Sequence, residues 1–118
     1  MRRTMLRSKI HRATITGTEL DYQGSITIDR DLMDRADMLP GEQVQVLDLN
    51  NGARFITYII EGERGSGVMM LNGPAARLGE VGDEVIVLTF CTLPDSVART
   101  FKPIVVHVDK NNRACEDT

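Results

Sequence analysis

Three places in this 118-residue chain combine residue types that can do chemistry. In Asp21-Tyr22-Gln23-Gly24-Ser25 a glycine stands directly before a serine. Glycine permits a strained backbone and leaves its carbonyl carbon unshielded, with the serine hydroxyl close enough to attack it. The plainer reading of Gly-Ser is a turn. In Arg54-Phe55-Ile56-Thr57-Tyr58, period-two alternation puts Arg54 and Tyr58 on one strand face and Thr57 on the other. A guanidinium fork for a carboxylate would then stand beside a phenol able to donate a proton; the plainer reading is a surface Arg and a half-buried Tyr. The third place, Gly62-x-x-Gly65-x-Gly67, has the glycines of a phosphate cradle. An apolar strand-like run follows it where a cradle needs a long helix, so it reads as a turn.

Composition removes most other chemistry. Cys91 and Cys115 are too few and too far apart for a redox CxxC or a thiolate zinc site, and they read as free thiols of a reducing cytoplasm. His11 and His107 are the only histidines and make no HExxH pattern, so no metal site is expected. Aromatic residues are 4% of the chain with no Trp, which argues against a base-stacking surface and calls for an aliphatic core. No apolar run reaches the length of a membrane span, and the N-terminus lacks a secretion signal. Residues 1–24 carry five bases against two acids, and the rest nine against fifteen. A basic arm of this kind can bind phosphate, mimic a transit peptide or pair with the acidic body; charge complementarity favours the third.

The elements that must position these residues are mostly strands. Alternation runs through residues 4–13, with Leu6 and Ile10 on one face and Arg7, Lys9 and His11 on the other. Further strands are expected at 25–29, 42–49, 54–61, 84–92 and 102–109, with a short apolar run at 68–71. A short helix is expected over 31–37 and a helical turn at 75–78 behind Pro74. Asn50-Asn51-Gly52 predicts a type I′ hairpin turn, and residues 111–118 a loose polar tail. Gly41-Glu-Gln-Val-Gln-Val-Leu47 and Gly82-Asp-Glu-Val-Ile-Val-Leu88 match as G-[ED]-x-V-x-V-L. Two such halves suggest a single domain: a small six-stranded, pseudo-twofold barrel of the double-psi type with short helices.

Several stretches carry a family resemblance. The N-terminal run through Thr14, Tyr22-Gln-Gly-Ser25 with Ile26-Thr-Ile-Asp29, Asn50-Asn-Gly52, Gly62-Glu-Arg-Gly-Ser-Gly67, Leu71-Asn-Gly73, Ala75-Ala-Arg-Leu78 and Gly82-Asp83 together resemble the pyruvoyl-dependent L-aspartate α-decarboxylases. The match covers nearly the whole chain in order. Pro74 departs from it, standing where a small residue such as alanine is expected.

The resemblance implies a lyase that converts L-aspartate to β-alanine and CO2, in the service of pantothenate biosynthesis. It implies a zymogen whose Ser25 hydroxyl attacks the Gly24 carbonyl, giving an ester, then dehydroalanine, then a covalently bound pyruvoyl group. Autocatalytic cleavage would leave chains 1–24 and 25–118. A decarboxylase needs an electron sink, and this group would supply it through a Schiff base with the substrate amine, without pyridoxal phosphate or metal. The resemblance assigns Thr57 and Asn72 to the site beside the Gly24 carbonyl, Tyr58 as proton donor, and Lys9 and Arg54 as cations for the substrate carboxylates. It places Gly73, Ala75 and Ala76 at the pocket edge, and His11 is read as a structural hydrogen bonder. With Thr57 and Tyr58 on opposite strand faces, a local kink or a neighbouring subunit is needed to bring both to one site. A homotetramer with sites between subunits is implied, with a maturation-promoting protein as a further candidate partner and neither nucleic acid nor membrane. The alternatives weighed are a swapped-hairpin-like DNA-binding barrel without catalysis and a plain assembly barrel; the net charge of −3 speaks against the first.

Overall fold

Residues 1–115, described by a computed structural model, fold mainly as β-structure. The strands are β1 (Arg2–Thr14), β2 (Gly17–Glu19), β3 (Ser25–Asp29), β4 (Gln43–Asp48), β5 (Arg54–Gly62), β6 (Met69–Asn72), β7 (Glu84–Pro94), β8 (Ile104–Val108) and β9 (Ala114–Cys115). The helices are α1 (Arg30–Ala36) and α2 (Asp95–Ala98), and Gly73–Arg77 forms a 3-10 turn. Strand order is β2-β6-β3-β5-β4-β7-β1-β8-β9. The six inner positions, β6 through β1, hold five of the expected strands and the apolar run at 68–71, while the expected strand at 102–109 lies outside them as β8, with β2 and β9. The order returns to its start, because β2 follows β1 after two residues and pairs with β6. Thr16 N–H also donates to the Met69 carbonyl at 2.8 Å.

The internal repeat has a structural counterpart. β4 and β7 pair antiparallel with Val46 directly opposite Val87, and these two are equivalent positions of the two G-[ED]-x-V-x-V-L copies. A twofold axis through that pair requires such an arrangement. Both copies begin on a glycine with positive φ, Gly41 and Gly82. The core is aliphatic, as the composition requires: Ile10, Ile26, Ile28, Val46, Ile59 and Val87 are fully buried. α1 adds Leu32, Met33 and Ala36.

Asp29 explains both α1 and the glycine loop after β5. Its buried carboxylate caps the helix by accepting Asp31 N–H at 2.8 Å. It also accepts Gly65 N–H at 3.0 Å and Gly67 N–H at 2.8 Å. The loop's amide donors are therefore turned onto a carboxylate of the chain itself, in agreement with the turn reading.

Four expectations need correction. Leu6 is not on the face of Ile10: a bulge between Leu6 and Ser8 pairs Leu6 with Phe90 and turns Ser8 inward beside Thr89. The extra residue of a bulge reverses the face of everything beyond it. The Asn50-Asn51-Gly52 hairpin forms, but only Gly52 has positive φ, so the turn is not type I′. Asp48 is the reason, since its Oδ1 accepts the N–H groups of Asn50 and Asn51 and folds a longer loop. Third, the tail is not loose where it is described. Ala114–Cys115 pairs with β8, and the buried Asn112 bonds to Thr14 and to the Gly67 carbonyl. Residues 116–118 of that expectation lie outside the described residues. Finally, β2 and α2 were not anticipated.

The basic arm pairs with the acidic body. Arg3 meets Asp95 at 2.5 Å, Arg7 meets Glu42 and Asp37, and Arg12 meets Glu84 at 2.6 Å. Three of the arm's four arginines are thus engaged with acids of the body.

Candidate active site

Ser25 opens β3, a strand held between β5 on one side and β6 on the other, and it is fully buried. Its hydroxyl donates to the Gln23 carbonyl at 2.9 Å. Asn72, directly opposite in the β3–β6 ladder, donates from Nδ2 to Ser25 Oγ at 3.0 Å. The same amide reaches Thr27 Oγ1 at 2.9 Å. Asn72 Oδ1 is buried and has no hydrogen-bond partner among the described residues. An unpaired buried acceptor carries a cost of about 1–3 kcal/mol, so a buried orphan marks a place where another group belongs.

β3 and β5 run parallel with Ile26 beside Ile59. Continued back, that register sets Ser25 beside Tyr58. Tyr58 is 36% exposed, and its hydroxyl donates to Gln23 Oε1 at 3.5 Å. Gly73, with φ +60°, lies against the same junction: a Cβ on it would sit 2.6 Å from the Tyr22 carbonyl oxygen and 2.7 Å from Gly24 N. Only glycine fits there. Ala75 is buried in the adjoining 3-10 turn, and Ala76 follows it at half-burial. Ser25, Gly24, Asn72, Gly73 and Tyr58 thus come together in one protomer.

Arg54, Thr57 and Lys9 do not join them. β5 runs opposite β4 in unbroken register from Gln43–Tyr58 to Leu47–Arg54. Arg54, Ile56 and Tyr58 therefore face outward while Thr57 is half-buried on the other face. The alternation read from the sequence holds, and no kink brings Thr57 round to Tyr58. Arg54 donates to Gln45 at 2.8 Å. Lys9 lies in one row with Leu88, Gln45 and Ile56. Three strand spacings, about 14 Å along the sheet, therefore separate it from β5. His11 stands beside His107 in the β1–β8 ladder, with the two rings edge to face at 5.5 Å.

Gln23 and Thr27 were missed by the sequence reading. Thr27 shares a face with Ser25 by period two, a usable signal. Gln23 acts partly through its main-chain carbonyl, which no side-chain pattern reveals. Among the described residues no three metal-ligating side chains cluster, no helix is long and apolar enough to cross a membrane, and Cys91 and Cys115 are unpaired.

The crystal structure of a rationally designed protein, mkDPBB_sym_86, matches with a TM-score of 0.50 at 16% identity, covering 65% of this chain and 90% of that one. That likeness, together with the strand order, places the fold in the double-psi barrel class. The sequence matches aspartate decarboxylase over residues 1–115. It is 58% identical to the aspartate 1-decarboxylase of Thermoanaerobacter pseudethanolicus over 96% of this chain and 97% of that protein. Against the aspartate 1-decarboxylase of Chloroherpeton thalassium it is 57% identical, covering 96% and 83%. The chain belongs to the aspartate decarboxylase family.

Proposed function

We propose that the chain is an aspartate 1-decarboxylase that makes its electrophile from Ser25. Decarboxylation of L-aspartate to β-alanine and CO2 follows from the family and from relatives matched almost end to end. A carbonyl at position 25 supplies the electron sink for a departing carboxylate, which no ordinary side chain offers. The residues present suit such a group: Ser25 is buried behind a glycine, and the unpaired Asn72 Oδ1 stands beside it.

The observation that carries the processing step is the two-sided grip on the Ser25 hydroxyl. Gln23 O accepts a hydrogen bond from the hydroxyl and Asn72 Nδ2 donates to the hydroxyl oxygen, so the attacking group is held in one orientation beside the Gly24–Ser25 bond. Holding attacker and carbonyl together is worth an effective molarity of roughly 10⁵ M or more when the geometry is right. In the first step Ser25 Oγ bonds to the Gly24 carbonyl carbon, the Gly24 C–Ser25 N bond breaks, and the hydroxyl proton passes to the freed amine. Loss of the Ser25 Cα proton and breakage of its Cβ–O bond then release the Gly24 carboxylate. One water replaces the nitrogen, which departs as ammonia. Chains 1–24 and 25–118 remain.

In the processed enzyme Tyr58 delivers a proton to the substrate carbon, a task suited to a fixed weak acid. Arg54 and Lys9 hold the carboxylates of the dianionic substrate. Thr57, Asn72, Gly73, Ala75 and Ala76 line the substrate side. Because Lys9, Arg54 and Thr57 stand off from the Ser25 cluster in one protomer, a second subunit completes the site. The outward face of β5 supports this, with Ile56 61% exposed between Arg54 and Tyr58, and Phe90 exposed on β7. A homotetramer working in a reducing cytoplasm accords with that face and with the free thiols. Ser25→Ala is expected to remain one chain and release no CO2; CO2 release from it would remove Ser25 from the mechanism.

A further inference from the structure

We propose that Pro74 is a positioning residue for breakage of the Gly24–Ser25 bond, an inference that rests on the processing read above. Three consecutive residues each address a different part of the junction. Asn72 bonds Ser25 Oγ, and the Gly73 backbone lies against Tyr22 and Gly24. Pro74 covers Gly24 itself: a Cβ on Gly24 would come within 3.1 Å of Pro74 Cδ and 3.8 Å of Cγ. The ring therefore walls one side of Gly24 Cα.

In this chain such a wall acts on the geometry of attack. Attack requires an unshielded Gly24 carbonyl, and glycine, the residue type with the freest backbone, leaves it so. That same freedom works against a fixed angle between the Ser25 hydroxyl and the carbonyl carbon. Pro74 counters it from outside. Its own φ is locked, it has no N–H to lend to any hydrogen bond, and it stands at the start of the 3-10 turn. Buried Asn72 and Ala75 anchor it on both sides. Shape and stiffness are all that the ring can contribute here. Alanine, the small residue that the family resemblance leads one to expect here, would leave that side of Gly24 open, so the wall belongs to this chain and not to the reaction.

The test follows freshly purified, uncut chain by intact mass, with and without hydroxylamine. Hydroxylamine traps the ester formed by Ser25 as a Gly24 hydroxamate and an N-terminal serine, so it reads the first step alone. Pro74→Ala is expected to slow both spontaneous and hydroxylamine-dependent cleavage about tenfold or more, and Pro74→Gly to slow them further. In a Ser25→Ala background, Pro74→Ala should unfold within a few degrees of its parent, which separates positioning from loss of fold. Cleavage of Pro74→Ala at the wild-type rate overturns the proposal. So does a slowing seen only without hydroxylamine, or one accompanied by a collapsed unfolding midpoint. A wild-type chain that never cuts overturns the processing reading and this proposal with it.

Discussion

Tyr58 separates two steps that Ser25 joins. Its phenol stands on the outward face of β5 and reaches Gln23, while the grip on the Ser25 hydroxyl comes from the Gln23 carbonyl and Asn72. Tyr58→Phe keeps the ring and removes the proton. The variant is expected to cut its chain at Gly24–Ser25 yet lose β-alanine formation by about a hundredfold or more, read by product assay on the processed protein. Normal turnover would reject the acid role. At this scale Ser25 and Tyr58 stood out by residue type, whereas Asn72 entered only through the family resemblance. Gln23 did not stand out, because part of its contribution is a main-chain carbonyl. The joining of Asn72 to Ser25 depends on a β3–β6 ladder between residues 47 positions apart. Periodicity cannot supply such a pairing.

Elements were legible to the extent that alternation and turn residues specify them. β3, β4, β5 and β7 stand within a residue or two of their expected bounds, since each is a run of β-branched residues closed by polar turns. The β1 bulge was invisible because it depends on the partner strand, and β2 and β9 are too short to show a period. Under the proposed processing β1 matters most for function, because it makes up most of the 1–24 piece, which would have to stay bound after cleavage. One of its ties is Arg3 to Asp95. Arg99 and then Arg3 hold the Asp95 carboxyl below the usual carboxylate range. The stability this pairing gives is present above the ordinary carboxylate pKa and lost as pH falls through the lowered one. Thermal midpoints of wild type and Asp95→Asn should therefore differ near neutral pH and converge in acid. A gap that stays constant with pH would contradict the pairing.

At the scale of the whole molecule, one barrel brings Ser25, Asn72, Gly73 and Tyr58 together and leaves Lys9 three strands away from β5. The aliphatic core and the repeat pointed to the barrel, and Val46 opposite Val87 shows why the repeat was informative. The strand order itself lay beyond periodicity, because it depends on pairings between strands distant in the chain. Light scattering of the purified protein should give about four protomers, the state that the family resemblance implies, with the outward β5 face that carries Ile56 and the candidate substrate cation Arg54 as the surface offered for it. A monomer with full activity would contradict a shared site. The central claim, that the missing electrophile is made from Ser25, is tested most directly by intact mass. Processed protein should give pieces of about 2.7 kDa and 10.4 kDa. Their masses should sum to about 1 Da more than the uncut chain, since one water enters and one ammonia leaves. A sum about 18 Da above the uncut chain would mean plain hydrolysis with Ser25 intact, and a single uncut mass would mean no processing at all; either contradicts the account.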